Sequence, residues 1–232
     1  MDLFSAAKEG RIDMIEFLVK NGADINAPKR YMETHFVCPI YIACKFRQID
    51  TVDKFIELGC RLDFSGTEIL NPISALCLNS DTKYNNMRDI GILDRLIANG
   101  CPLTGSNSGL ITKGLIAEAM STCNFELAKK LANYGAEITN NAFTWILGSG
   151  NDELIQYFIG HGYDINKKNK KGKTRLMKRS TWLNCDYFET LLRNGADPNI
   201  CDNDGFGIFN PGDRYPMDYQ DYVKEYLEKL GK

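Results

Sequence analysis

Nucleophilic, acid–base or metal chemistry in this chain would have to start from two histidines, His35 and His161, and eight cysteines. His161 directly precedes Gly162 at the end of an apolar helical pattern, where an imidazole meets the last carbonyls of a helix. His35 stands near Glu33 and Cys38, but these three lack the paired spacing of a zinc site. Cys38, Cys44, Cys60, Cys77, Cys101, Cys123, Cys185 and Cys201 are scattered without a C-x-x-C pair and read as reduced thiols, with Cys44, Cys60 and Cys101 filling small core positions. Gly172-Lys173-Thr174 echoes the end of a phosphate-binding loop but lacks its upstream glycine. The chain therefore reads as no enzyme, and no catalytic residue, metal or cofactor is expected.

One concentration of charge remains: Lys167, Lys168, Lys170, Lys171 and Lys173, continued by Arg175, Lys178 and Arg179. Such a run is either a solvated loop or a contact for an acidic protein partner, with nuclear import or nucleic acid as lesser readings. Nucleic acid is disfavoured by the net charge of -2, by the lack of aromatics within the run and by the acidic helix that follows. Hydrophobic residues at 44% and charged residues at 25% place the chain among globular proteins. With no stretch long and apolar enough to span a bilayer and no secretory leader pattern, a cytoplasmic location is expected, a nuclear one or delivery into a host cell remaining open.

The elements that must position these residues repeat along the chain. A glycine follows an apolar helical pattern at Gly22, Gly59, Gly100, Gly135, Gly162 and Gly195, at intervals of 37, 41, 35, 27 and 33 residues. Seven, four and three residues before each glycine the side chain is apolar, as in Ile15, Leu18, Val19 and Val52, Phe55, Ile56, which is one face of a helix. The glycine suits the left-handed residue just past a helix end.

On these residues the chain resembles the ankyrin-repeat family. Gly22-Ala23-Asp24-Ile25-Asn26, Gly162-Tyr163-Asp164-Ile165-Asn166 and Gly195-Ala196-Asp197-Pro198-Asn199 match its loop signature. Gly172 to Met177 is similar to its G-x-T-P-L-H turn, and Cys38 to Ala43 and Asn71-Pro72-Ile73 keep the proline of that turn. The expected fold is all-α, an ankyrin-repeat solenoid of helix-turn-helix units with short hairpin fingers. Its array spans 1–206, as units 1–28, 29–65, 66–104, 105–139, 140–166 and 167–200 followed by the start of a partial unit. Segment 207–232 supplies a linker and a C-terminal helix from about Met217 to Leu230, expected to cap the stack or, alternatively, to dock a partner through its tyrosines.

The resemblance implies a protein-protein interaction module that holds another protein in its concave groove and finger loops. At the ends of the first helices it points to Lys8, Glu9, Lys45, Phe46, Leu78, Asn79, Ser121, Thr122, Gly148, Ser149, Thr181 and Trp182. In the fingers it points to His35, Val37, Leu70, Lys170, Lys171 and Lys173. Phe46 and Trp182 are the leading contacts, since large apolar groups at solvent-facing positions mark binding hot spots, unless an irregular neighbour covers them. An insertion at Asn79 to Met87, carrying Tyr84, is a third candidate. Two further roles stay open: a dedicated inhibitor or immunity protein neutralising one target, and anionic-ligand or nucleic-acid binding through Lys167 to Lys173.

Overall fold

The computed structural model describes residues 1–31, 35–78, 86–103, 114–177, 185–210 and 218–231. The chain divides into two compact units, Met1–Trp145 and Ile146–Lys232. In the first, helices come in pairs: α1 (Leu3–Glu9) with α2 (Ile12–Lys20), α3 (Pro39–Lys45) with α4 (Ile49–Glu57), α5 (Pro72–Cys77) with α6 (Asn86–Ala98), and α7 (Leu115–Ser121) with α8 (Phe125–Asn133). First helices stack in the order α1, α3, α5, α7 and second helices in the order α2, α4, α6, α8. Helix α9 (Asn140–Gly148) starts in this unit, and α10 (Asp152–Gly160), α11 (Cys185–Arg193) and α12 (Asp218–Lys229) belong to the second. Strands β1 (Lys29–Tyr31) and β2 (His35–Val37) pair antiparallel as a finger, with Arg30 opposite Phe36. This is the expected all-α solenoid.

Helices of seven to nine residues, such as α1 and α2, are too short to persist alone, so their ends and faces must be held from outside. The glycine column does this at each second helix. Gly22, Gly59, Gly100, Gly135, Gly162 and Gly195 take φ between 76° and 96°. The residue after each then bonds back into the last turn, as Ala23 N–H does to Leu18 O and Cys101 N–H to Leu96 O. The Asp-x-Asn of the loop also has a mechanical part. Asp24 accepts from the Asn26 amide at 2.9 Å, and the Asn26 side chain accepts from the Arg61 amide at 2.7 Å in the next loop. Asp164, Asn166 and Asp197 repeat the arrangement in the second unit.

Charges join consecutive second helices. Lys54 Nζ lies 2.9 Å from Glu16, Arg95 Nε 2.8 Å from Asp53 and Lys130 Nζ 3.2 Å from Asp94. Each acid stands six residues before its repeat glycine and each base five before the next one, so the ladder sets register. Pairs this exposed to water are screened and add little to stability. In the second unit Glu189, again six before its glycine, accepts a 2.5 Å hydrogen bond from the Tyr222 hydroxyl of α12. Phe188 packs against the Tyr222 ring and Val223 is buried, while Asp221, Glu225 and Glu228 face water. Helix α12 thus covers α11 as a cap.

Among the described residues of the first unit, the ion pair of Arg47 and Asp89 is buried. Arg47, in the left-handed turn between α3 and α4, donates to both oxygens of Asp89 on α6, at 2.8 and 3.3 Å, and Asn124 donates to the same carboxylate at 3.2 Å. Burial raises the Asp89 pKa although Arg47 and Asn124 pull it down, so desolvation is not fully repaid. Asp89→Asn, which strands the Arg47 charge, is expected to cost about 3 kcal/mol in urea unfolding. Replacing both partners by leucine and methionine should cost less than that single change.

Candidate partner-binding site

The ends of α1 and α3 place a cluster of cations and aromatics on the surface. Phe46, the residue that ends α3, is 42% exposed, and Lys8 Nζ sits 5.2 Å from its ring centroid. The Gln48 amide donates to the Lys8 carbonyl at 3.0 Å and ties the two helix ends together. Lys45 turns to the finger, where its ammonium lies 4.7 Å from the Tyr31 ring centroid and bonds the Tyr31 hydroxyl. Tyr31 in turn leans on buried Tyr41, with ring centroids 5.7 Å apart. Glu9 is exposed beside Lys8.

Farther along the first unit the helix ends are less available. Leu78, Ser121 and Thr122 are half-buried; the Ser121 hydroxyl donates to Glu118 O and that of Thr122 to Cys77 O, both at 2.7 Å. In the second unit Gly148 is exposed and Ser149 donates to Ile146 O at 2.6 Å. The finger positions His35, Val37 and Leu70, expected at the surface, are buried. Pairing of β2 with β1 turns His35 and Val37 to the same face, and the Leu70 amide donates to Phe36 O at 2.8 Å, which draws the next finger onto this one. Asn79, Tyr84, Thr181 and Trp182 lie outside the described residues. Helix α6 already starts at Asn86, inside the expected insertion, and leaves Met87 82% exposed.

The lysine finger is held against the loop that follows it. Lys168 Nζ donates to Cys201 O at 3.0 Å, Asn203 donates to Lys170 O at 3.1 Å, and Lys173 Nζ is 3.9 Å from Asp202. A Cβ on Gly172, which has φ +76°, would come within 2.5 Å of the Asn203 backbone nitrogen, so only glycine permits this approach. Lys167, Lys168, Lys170 and Lys171 are all exposed, Lys168 with its ammonium on the Cys201 carbonyl. Arg175 is drawn inward to the hydroxyls of Tyr163 and Tyr187.

Several of the cysteines and His161 are held in structural positions. Burial pushes the Cys38 thiol up to about 11 and those of Cys60 and Cys101 up to about 12, which keeps them protonated and unreactive. His161 ends α10, its Nδ1 2.7 Å from Tyr157 O and its ring stacked on Tyr157. Among the described residues no group of three or more His, Cys, Asp or Glu is placed to hold a metal, and no helix is long and apolar enough to cross a membrane.

A family model of ankyrin repeats in three copies matches residues 115–202, and one of ankyrin repeats in many copies matches residues 3–56. The chain belongs to the ankyrin-repeat family. A putative ankyrin repeat protein of fowlpox virus (strain NVSL) is 25% identical over 202 residues, 76% of this chain and 56% of that protein. The Caenorhabditis elegans homolog of transient receptor potential cation channel subfamily A member 1 is 27% identical over 173 residues, 72% of this chain and 13% of that protein. The chain therefore spans just over half of one relative and a small part of the other. The crystal structure of the ankyrin repeat domain of Bcl-3 superposes with a TM-score of 0.63 at 15% identity, over 97% of this chain and 98% of that one. Ankyrin repeats generally mediate protein-protein interaction, and their fold is typically non-enzymatic.

The first helices end on a left-handed turn residue at Gly10, Arg47, Cys123 and Gly150, and that register singles out two further residues without a sequence motif. Five residues before the turn stand Ser5, Ile42, Glu118 and Trp145. Trp145 is 45% exposed and joins the candidate contacts. Glu118 is fully buried with neither carboxylate oxygen bonded, close enough to Tyr41 and Cys77 for its charge to act on both. Burial lifts its carboxyl from 4.5 to about 7, an effect the neighbouring Ser74 hydroxyl only partly offsets. The folded state holds this proton more tightly than the unfolded chain, so its contribution is complete below pH 4.5 and is lost as the pH rises to about 7. Relative to Glu118→Gln, the wild type should lose about 3 kcal/mol of unfolding free energy between those limits. Parallel pH profiles for the two proteins in urea unfolding would count against an unpaired buried carboxyl.

Proposed function

We propose that this ankyrin-repeat chain is a non-catalytic module that holds a partner protein through the helix-end cluster of Lys8, Lys45, Phe46 and Tyr31. The observation that carries this reading is the exposed Phe46 ring with the Lys8 ammonium over its face. A phenyl ring there adds little to the packed core, and a cation on an aromatic suits a partner offering a carboxylate beside an apolar side chain. Trp145, exposed on α9, offers a separate apolar contact. The exposed Lys167, Lys170 and Lys171 favour a second contact of acidic character, through which an inhibitor of one target would gain association rate. Nothing in the cluster calls for turnover.

Binding of a partner captured from the native source is to be measured for wild type, for Phe46→Ala, and for Lys167, Lys170 and Lys171 all changed to alanine. Phe46→Ala should weaken binding about thirtyfold with helicity unchanged. The lysine variant should slow association and flatten its salt dependence while leaving dissociation nearly unaltered. Equal affinity of Phe46→Ala and wild type would move the site away from the helix ends. Capture of nucleic acid, with affinity falling steeply in salt, would favour the lysine finger as the principal site.

A further inference from the structure

Where the first helices α5 and α7 pack together, they enclose a polar cluster. The Glu118 carboxyl of α7 is buried there with neither oxygen bonded. From α5 it meets the Ser74 hydroxyl, which favours its ionised form from beyond hydrogen-bond distance, and the Cys77 thiol. From α3 it meets Tyr41. The residues that α8 buries are the apolar Leu127, Ala128, Leu131 and Ala132, and its Lys129 and Lys130 lie on Glu126 and Asp94. On α6 Asp89 also acts on Cys77, and the buried cation Arg47 is committed to Asp89. None of these described residues offers Glu118 a counter-ion, so its charged form is stabilised by reaching water.

An interface between repeats can part by itself, since each repeat in a stack touches its neighbours alone and local opening costs less than unfolding the chain. The two sides of this interface are fastened differently. On the second-helix side Asn124 donates to Asp89 at 3.2 Å, Lys130 Nζ lies 3.2 Å from Asp94, and the Tyr134 hydroxyl donates to Asp94 at 2.6 Å. On the first-helix side the Thr122 hydroxyl, just past the end of α7, donates to the Cys77 carbonyl at 2.7 Å. We infer that α5 and α7 form a proton-controlled joint: loss of the Glu118 proton parts these two helices, with the α6–α8 contact as the hinge, and admits water to the carboxylate. The closed joint holds the proton more tightly than the parted one. Its advantage is therefore complete below pH 4.5, is lost as the pH rises to about 7, and changes no further above that.

Two cysteines report on the joint. Cys77 is fully buried on α5 within it, and Cys44 is fully buried on α3 outside it. The intact 232-residue chain is treated with a pyridyl disulfide, and the modification of each thiol is read by peptide mass, relative to an unstructured cysteine peptide at the same pH. Between pH 5 and pH 8 wild-type Cys77 should become about fiftyfold more reactive, and at pH 8 it should outpace Cys44 by at least about tenfold. The rise should vanish in Glu118→Gln. Glu118→Met, which removes the carboxyl without burying an amide, should give the same flat profile and decides the point if the glutamine variant folds poorly. A flat wild-type profile, or a rise that persists in the folded variants, overturns the proposal. Equal rates at Cys77 and Cys44 would mean that the whole chain unfolds together, and would overturn the joint as well.

Discussion

A pair of short helices cannot bury its own apolar faces, and every other feature of this chain follows from that constraint. Each repeat borrows its neighbours to close its core, and Phe55, Leu96 and Leu131 are fully buried between stacked repeats. Devices that look unrelated serve this one demand. The left-handed glycine ends each second helix at the same place, the Asn26 side chain carries one loop to the next, and the Glu16 to Lys54 ladder fixes how far one helix slides on another.

The same constraint separates structural from functional groups. Arg47, Asp89 and Asn124 satisfy one another in the interior, and Lys168 and Asn203 bind neighbouring backbone. Such groups belong to the architecture. Phe46 and Trp145 are large, apolar and exposed, and no neighbouring repeat covers them fully. In the proposed reading, their placement on the helix ends and helix face of the stack offers a partner a surface with little conformational entropy left to lose. Glu118 stands between the two kinds. It occupies the register of Trp145, yet it is sealed inside at the expense of an unbonded carboxyl.

The repeat was readable because its strongest signal, a glycine after an apolar helical face, is a local rule of backbone geometry that needs no tertiary knowledge. The finger was harder. His35 and Val37 lie in a polar-looking loop, and their burial depends on β1 pairing with β2 and on Leu70 joining Phe36, contacts between segments more than thirty residues apart in the latter case. The charge ladder was present in the letters as an acid followed directly by a base, Asp53-Lys54 and Asp94-Arg95, but adjacent opposite charges on a helix resemble an ordinary solvated face. Trp145 carries no such signal, because its unit lacks the proline-bearing turn. It is found only by counting back from the left-handed Gly150.

If the stack supplies the stability and the exposed aromatics supply the contact, the two kinds of phenylalanine must differ in what they contribute to the free chain. The direct measurement is urea unfolding of Phe55→Ala and Phe46→Ala. The fully buried Phe55 should cost about 3–5 kcal/mol on truncation and the exposed Phe46 about 1 kcal/mol or less. Equal losses would make Phe46 part of the core, and the account of the helix ends as a partner-binding surface would fail.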